Sequence, residues 1–148
     1  MNRITVEMQR TKGIRVEHPV ILIDGIPLDL YIHNLYPDNL FLGLIPTITD
    51  WLWLKEEAEL ILSLYYSDQN KVILPILMCP DDLDLSCTII VAEVIKSDIE
   101  VVWNRIGVNK SQLGTPIGTE VVWLELVPEM KFNSNFYFEN FKIIYKPI

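Results

Sequence analysis

Chemistry is concentrated in one short stretch, "CPDDLDLSC", where Cys79 and Cys87 bracket Asp81, Asp82 and Asp84; the chain has no other cysteine. Thiolates bind soft metals and attack electrophiles, and clustered carboxylates bind hard cations or cationic partners. Structural zinc takes four ligands, usually as two closely spaced Cys or His pairs. Here there is one cysteine pair, and the two histidines, His18 and His33, are remote in sequence. The aspartates lack the glycine and glutamate positions of a calcium-binding helix–loop–helix. No metal and no cofactor are therefore expected. A disulfide is geometrically open to the pair, because a turn can fold two strands back. A cytoplasmic setting disfavours it as a permanent bond. The expectation is a solvated acidic connection between two buried strands, with both cysteines reduced and serving as small core residues.

Other catalytic patterns are missing. No G-x-S-x-G nucleophile turn occurs. "LGTPIGTE" has two glycines but not the Lys-Ser/Thr of a phosphate loop, and a strand pattern follows it. The expected reading is a non-enzyme.

The elements that would position these groups read mostly as strands. Alternation at period two marks Thr5–Gln9, Val20–Ile23 and Pro27–Ile32, with Asp24-Gly25 as a hairpin turn. "KVILPILM", "CTIIVAEVI", "IEVVWNRIGV" and "EVVWLELV" continue the pattern, Pro75 marking an edge or a bulge. In "IEVVWNRIG", strict alternation puts Val101, Trp103 and Arg105 on one face and Val102, Asn104 and Ile106 on the other. The two "VVW" stretches are expected as neighbouring strands joined by the 109–119 loop. A helix is expected from about Asp50 to Tyr65, capped by Thr49 or Asp50, with Trp51, Leu54, Ala58, Ile61, Leu62 and Tyr65 on its apolar stripe. Trp51 and Trp53 cannot share a helix face, so one of them is expected at the surface or against the long 33–46 loop. "NFYFENFKIIYK" fits a strand or a short helix. The fold class predicted is α+β: a mostly antiparallel twisted sheet, one main helix at about 50–66 packed on a face, and a single domain over 1–148.

Composition narrows the partners. Half of the 148 residues are hydrophobic and the net charge is −8. Arg3, Arg10, Lys12 and Arg15 are diluted by Glu7 and Glu17, so there is no basic cluster to displace counterions from nucleic acid. "MNRITVEMQR" has no apolar core of a signal peptide, and no apolar run is long enough to span a bilayer. A cytoplasmic protein that binds neither nucleic acid nor membrane is expected. Its acidity would steer cationic partners toward it.

The C-terminal half resembles a known family. Trp103, Arg105, Ile106 and Gly107 stand in a W-x-R-h-G element, Val121, Trp123 and Leu124 in a V-x-W-L element, and Phe132 and Tyr137 in a closing aromatic segment. These elements, with the preceding "LPILMCPDDLDLSCTIIVAEV", are similar to small immunity proteins of bacterial contact-dependent and polymorphic toxin systems. The resemblance implies a non-enzymatic inhibitor that binds one cognate toxin and occludes its active site. A basic toxin cleft is complementary to an acidic inhibitor. The contact residues expected are the acids of the helix and of the 80–85 connection: Glu56, Glu59, Asp81, Asp82 and Asp84. Two other readings remain: an adaptor or structural subunit forming a homo-oligomer, and an enzyme using Cys79 or Cys87.

Overall fold

The computed structural model describes residues 1–10 and 14–147. Lys12, counted above among the scattered cations, lies outside them. Among the described residues the fold is α+β, with two antiparallel sheets and three helices.

The first sheet joins β1 (Ile4–Gln9), β2 (His18–Ile23) and the two-residue β3 (Ile26–Pro27). Asp24 and Gly25 both take positive φ, 51° and 85°, as the tight turn requires. The Asp24 carboxylate accepts the Arg3 backbone N–H at 2.7 Å and the Asn2 amide at 2.9 Å, which ties the turn to the start of β1. All six residues of β2 are buried, hence its unbroken apolar run. The expected strand Pro27–Ile32 is a correction. Only Ile26 and Pro27 pair with β2, and Leu28–Leu35 forms helix α1. Leu28 and Ile32, four apart, are buried, while Leu30 between them faces solvent. In sequence the three look alternating, but burial follows the helical spacing.

The second sheet runs β4 (Ile45–Pro46), β5 (Lys71–Met78), β6 (Ile90–Lys96), β7 (Glu100–Asn109) and β8 (Val121–Trp123). β9 (Met130–Asn133) pairs with β7 as well. β8 holds the Gly107–Asn109 end of β7 and β9 the Glu100–Trp103 end, on the edge opposite β6. The 121–133 segment is thus one strand interrupted by an excursion. The β5–β6 ladder shifts register between Pro75 and Leu77, the bulge that Pro75 foretold. Thr47 fills the gap by donating its hydroxyl to the Pro75 carbonyl at 2.8 Å.

Between these strands lies α2 (Lys55–Tyr65), and α3 (Ser134–Phe141) follows β9. Among the described residues α2 is the main helix expected, α3 is the short helix that the closing aromatic segment allowed, and α1 is the one not expected. The start of α2 is corrected too: Thr49 and Asp50 do not cap it. Thr49 Oγ1 donates to the Ile144 and Lys146 carbonyls and accepts the Lys146 N–H, and Asp50 pairs with Lys146 Nζ at 3.2 Å. Both side chains hold the C-terminal segment, so the helix begins at Lys55. At its other end Lys96 Nζ donates to the Tyr65 and Ser67 carbonyls, placing a cation at the negative helix end. α3 is capped by Asn133, whose side chain accepts the Phe136 N–H at 2.9 Å.

The core is one continuous cluster that draws on both sheets and all three helices. Its aromatic centre is Trp103, Phe132, Tyr137, Phe141, Tyr145 and Tyr65, each in ring contact with another of the group. Among the described residues no helix is long and apolar enough to cross a membrane.

Candidate functional site

The expected contact acids come from two elements, and the structure joins those elements. Leu54 precedes α2 in an extended conformation and offers no side-chain cap. The first turn instead carries Glu56 and Glu57, which the positive helix end favours. Glu57 reaches across to the 79–87 connection and accepts the Leu85 backbone N–H with both carboxylate oxygens at 3.1 Å. One residue before Leu54, the Trp53 backbone N–H donates to the Leu83 carbonyl at 3.3 Å. Leu83 takes a positive φ of 50°, and Leu85 is buried beside it. The connection therefore curls against the helix start and is tethered there at two points.

Charges crowd at this junction. Burial raises the Glu57 carboxyl above its ordinary value; the Leu85 N–H opposes that, and the charges of Asp84 and Glu56 add to it. Those last two effects report acids from both elements near one carboxylate. Asp84 is lowered, chiefly by the Ser86 hydroxyl and then by the Ser86 backbone N–H, against a smaller opposing effect of burial, and the nearby Trp53 side chain adds least. Trp53 is 69% exposed, so a large aromatic ring stands at the surface within this acidic rim.

Each expected contact residue now has a place. Glu56 is exposed on the first turn of α2. Glu59 is exposed one turn later and paired with Lys55 at 3.8 Å, which spends part of its charge locally. Asp81 and Asp82 are exposed at the turn of the connection, and Asp84 is half-buried beside Trp53. Glu57 was missed because its sequence position gives no sign of a partner 28 residues away. Trp53 is exposed and Trp51 half-buried against His18, but both precede α2, so the helix-face argument that expected one of them at the surface or against the 33–46 loop does not account for it.

The cysteines require a correction. Cys79 and Cys87 are joined as a disulfide with Cα atoms 6.1 Å apart, inside the span such a bond needs. They are not reduced core residues: Cys87 is exposed and Cys79 half-buried. The reason is the curl of the connection, which returns the chain on itself just beyond the last rung of the β5–β6 ladder, Leu77 opposite Ile90. In this state neither sulfur is a free nucleophile. Among the described residues no three His, Cys, Asp or Glu side chains gather as a metal-holding group. Among the described residues three open hollows, about 450 Å³ beside β8, about 600 Å³ beside Lys96 and about 480 Å³ beside the Asp24-Gly25 turn, are lined by no cysteine or histidine.

Comparison of the chain with protein-family models, with characterised proteins and with solved structures finds no match.

The residues that carried the family resemblance form two packing clusters on opposite faces of the second sheet. On the core face Trp103 donates its indole N–H to the Tyr137 hydroxyl at 3.1 Å and meets Phe132 edge-on at 5.2 Å. On the outer face Arg105 lies over Trp123, 4.0 Å from the ring centre. This corrects the expectation that Trp103 and Arg105 share a face. The β6–β7 ladder shifts register between Glu93 and Val94, leaving Asn104 as the extra residue. The bulge turns Arg105 outward while Trp103 and Ile106 both stay fully buried. Gly107 lies opposite Trp123, and a Cβ there would collide with Val121, with the Val122 carbonyl at 2.8 Å and with the Trp123 ring at 2.9 Å.

Proposed function

We propose that this protein is a non-enzymatic binding protein of the immunity type, which neutralises a cognate, basic toxin domain by covering its active site. The observation that carries the reading is Trp53: a 69% exposed indole held among the acids of two tethered elements. Exposed aromatics on rigid backbone are the usual anchors of protein interfaces. Acids around an anchor supply attraction for a cationic cleft and discriminate against neutral or acidic surfaces. The net charge of −8 acts in the same direction at longer range.

The docking face comprises Trp53, Glu56, Asp81, Asp82 and Asp84, with Glu59 at its edge. Glu57 holds the face together. The tethers matter because a pre-ordered surface loses less entropy on binding.

The test is co-expression with candidate toxins encoded beside this protein's gene, followed by association kinetics with the toxin that is neutralised. Protection is expected to fail for Trp53→Ala combined with Glu56→Lys and Asp82→Lys. The association rate is expected to fall steeply as salt shortens the screening length. Full protection by the triple variant, or an association rate indifferent to salt, overturns the proposal.

A further inference from the structure

We propose that Cys79–Cys87 is a thiol-responsive latch, which orders the acidic connection when oxidised and frees it when a thiol reductant opens it. The consequence for docking rests on the binding role proposed above; the latch itself does not.

Three observations carry it. The disulfide closes a ring of eight residues' separation around Asp81, Asp82 and Asp84. The tethers from α2 enter that ring at Leu83 and Leu85. The stretch bearing Asp81 and Asp82 thus runs from the end of β5 at Met78 to those tethers, and the disulfide ties its first residue, Cys79, to the returning limb at Cys87. Third, Cys87 is exposed, which leaves a sulfur open to an external thiolate. Disulfides that hold a buried core are shielded from such attack, whereas accessible ones are the labile, regulatory kind.

The step balances as ordinary exchange. A small-molecule thiolate attacks Cys87 Sγ, the protein S–S bond breaks, and Cys79 leaves as a thiolate that takes a proton. A second thiol displaces Cys87 from the mixed disulfide. Two thiols are oxidised to one small disulfide, and the two cysteines gain two electrons and two protons. The freed connection then samples many conformations and must be re-ordered at each binding event.

The full chain is compared oxidised and after reduction with dithiothreitol, by amide hydrogen exchange and by titration with a twenty-residue lysine peptide as the cationic probe. On reduction, amides of 81–86 are expected to exchange about tenfold faster or more while β5 and β6 stay protected. Affinity for the probe is expected to fall about tenfold, corresponding to about 1.4 kcal/mol of ordering. The Cys79→Ser, Cys87→Ser variant is expected to match the reduced protein under both conditions. Asp81→Asn with Asp82→Asn is expected to abolish the redox dependence of binding. Reversible reduction of the unsubstituted chain gives the same comparison where the serine variant folds poorly. Unchanged exchange overturns the latch. Faster exchange with unchanged affinity overturns its effect on docking. No affinity in the oxidised state overturns the docking role instead, and the exchange result still decides the latch.

Discussion

Arg105 is held on two sides at once: its guanidinium lies 4.0 Å from the centre of the Trp123 ring and donates to both oxygens of Glu93, at 3.3 and 3.0 Å. Glu93 is almost wholly buried and also accepts the Asn104 amide at 2.8 Å, with Lys71 Nζ at 3.9 Å. The planar fork serves two jobs that an ammonium cannot combine. Arg105→Ala leaves a buried carboxylate with weaker partners. Full loss of a buried pair costs about 3–5 kcal/mol. Here Arg105 is half exposed and Asn104 and Lys71 remain, so a loss of about 2 kcal/mol is expected. Arg105→Lys is expected to recover less than half of it. Urea unfolding midpoints check both.

The same carboxylate sets a pH dependence. Hydrogen bonding from Arg105, above all, holds Glu93 below its ordinary value of 4.5, against the opposing effect of burial. As pH falls, the unfolded chain takes up this proton before the folded one does. The contribution is therefore complete above about pH 5 and drains away as pH drops through the folded value. Glu57, whose value burial raises, has the opposite sign: the folded chain binds its proton first, so protonation offsets part of the loss. Stability measured from pH 7 to 3 is expected to fall more steeply for the native chain than for Glu93→Gln. Glu57→Gln is expected to steepen the fall.

Gly107 is fixed by contact, not by backbone conformation. An added Cβ would meet a backbone carbonyl at 2.8 Å as well as the Val121 and Trp123 side chains. Side chains can turn aside, but the Val122 carbonyl belongs to the β7–β8 ladder. Gly107→Ala is expected to cost about 1–3 kcal/mol, the range for forced overpacking. Hydrogen exchange should show β8 opening while β9 stays closed, because β9 grips the far end of β7.

Legibility followed the range of the interaction. The Asp24-Gly25 turn, the Pro75 bulge and the pairing of the two "VVW" strands depend on neighbouring residues, and each was readable. The Asn104 bulge was not, since period-two patterning carries no mark of an inserted residue. α1 was hidden because Leu28, Leu30 and Ile32 satisfy both alternation and, by omitting Leu30, helical spacing. The start of α2 was set by the C-terminal segment recruiting Thr49 and Asp50, about 95 residues away. At the candidate site the acids were visible as composition. Their junction through Glu57, and the pairing of Cys79 with Cys87, are products of the tertiary fold.

Glu57 offers the sharpest separation of charge from architecture. Its carboxylate holds the Leu85 N–H, yet its own burial and its acidic neighbours make ionisation unfavourable there. A neutral acceptor of the same shape keeps the tether and removes the repulsion from Asp84 and Glu56. Glu57→Gln is therefore expected to hold stability within about 0.5 kcal/mol of the native chain at pH 7. Glu57→Ala leaves a half-buried N–H without its partner and is expected to cost about 1–2 kcal/mol. Amide exchange at Leu85 should be near native in the first variant and at least tenfold faster in the second. Equal exchange in native, glutamine and alanine forms would mean that the disulfide, the Trp53–Leu83 bond and Leu85 burial hold the connection without it, and that Glu57 is only one more acid on the surface.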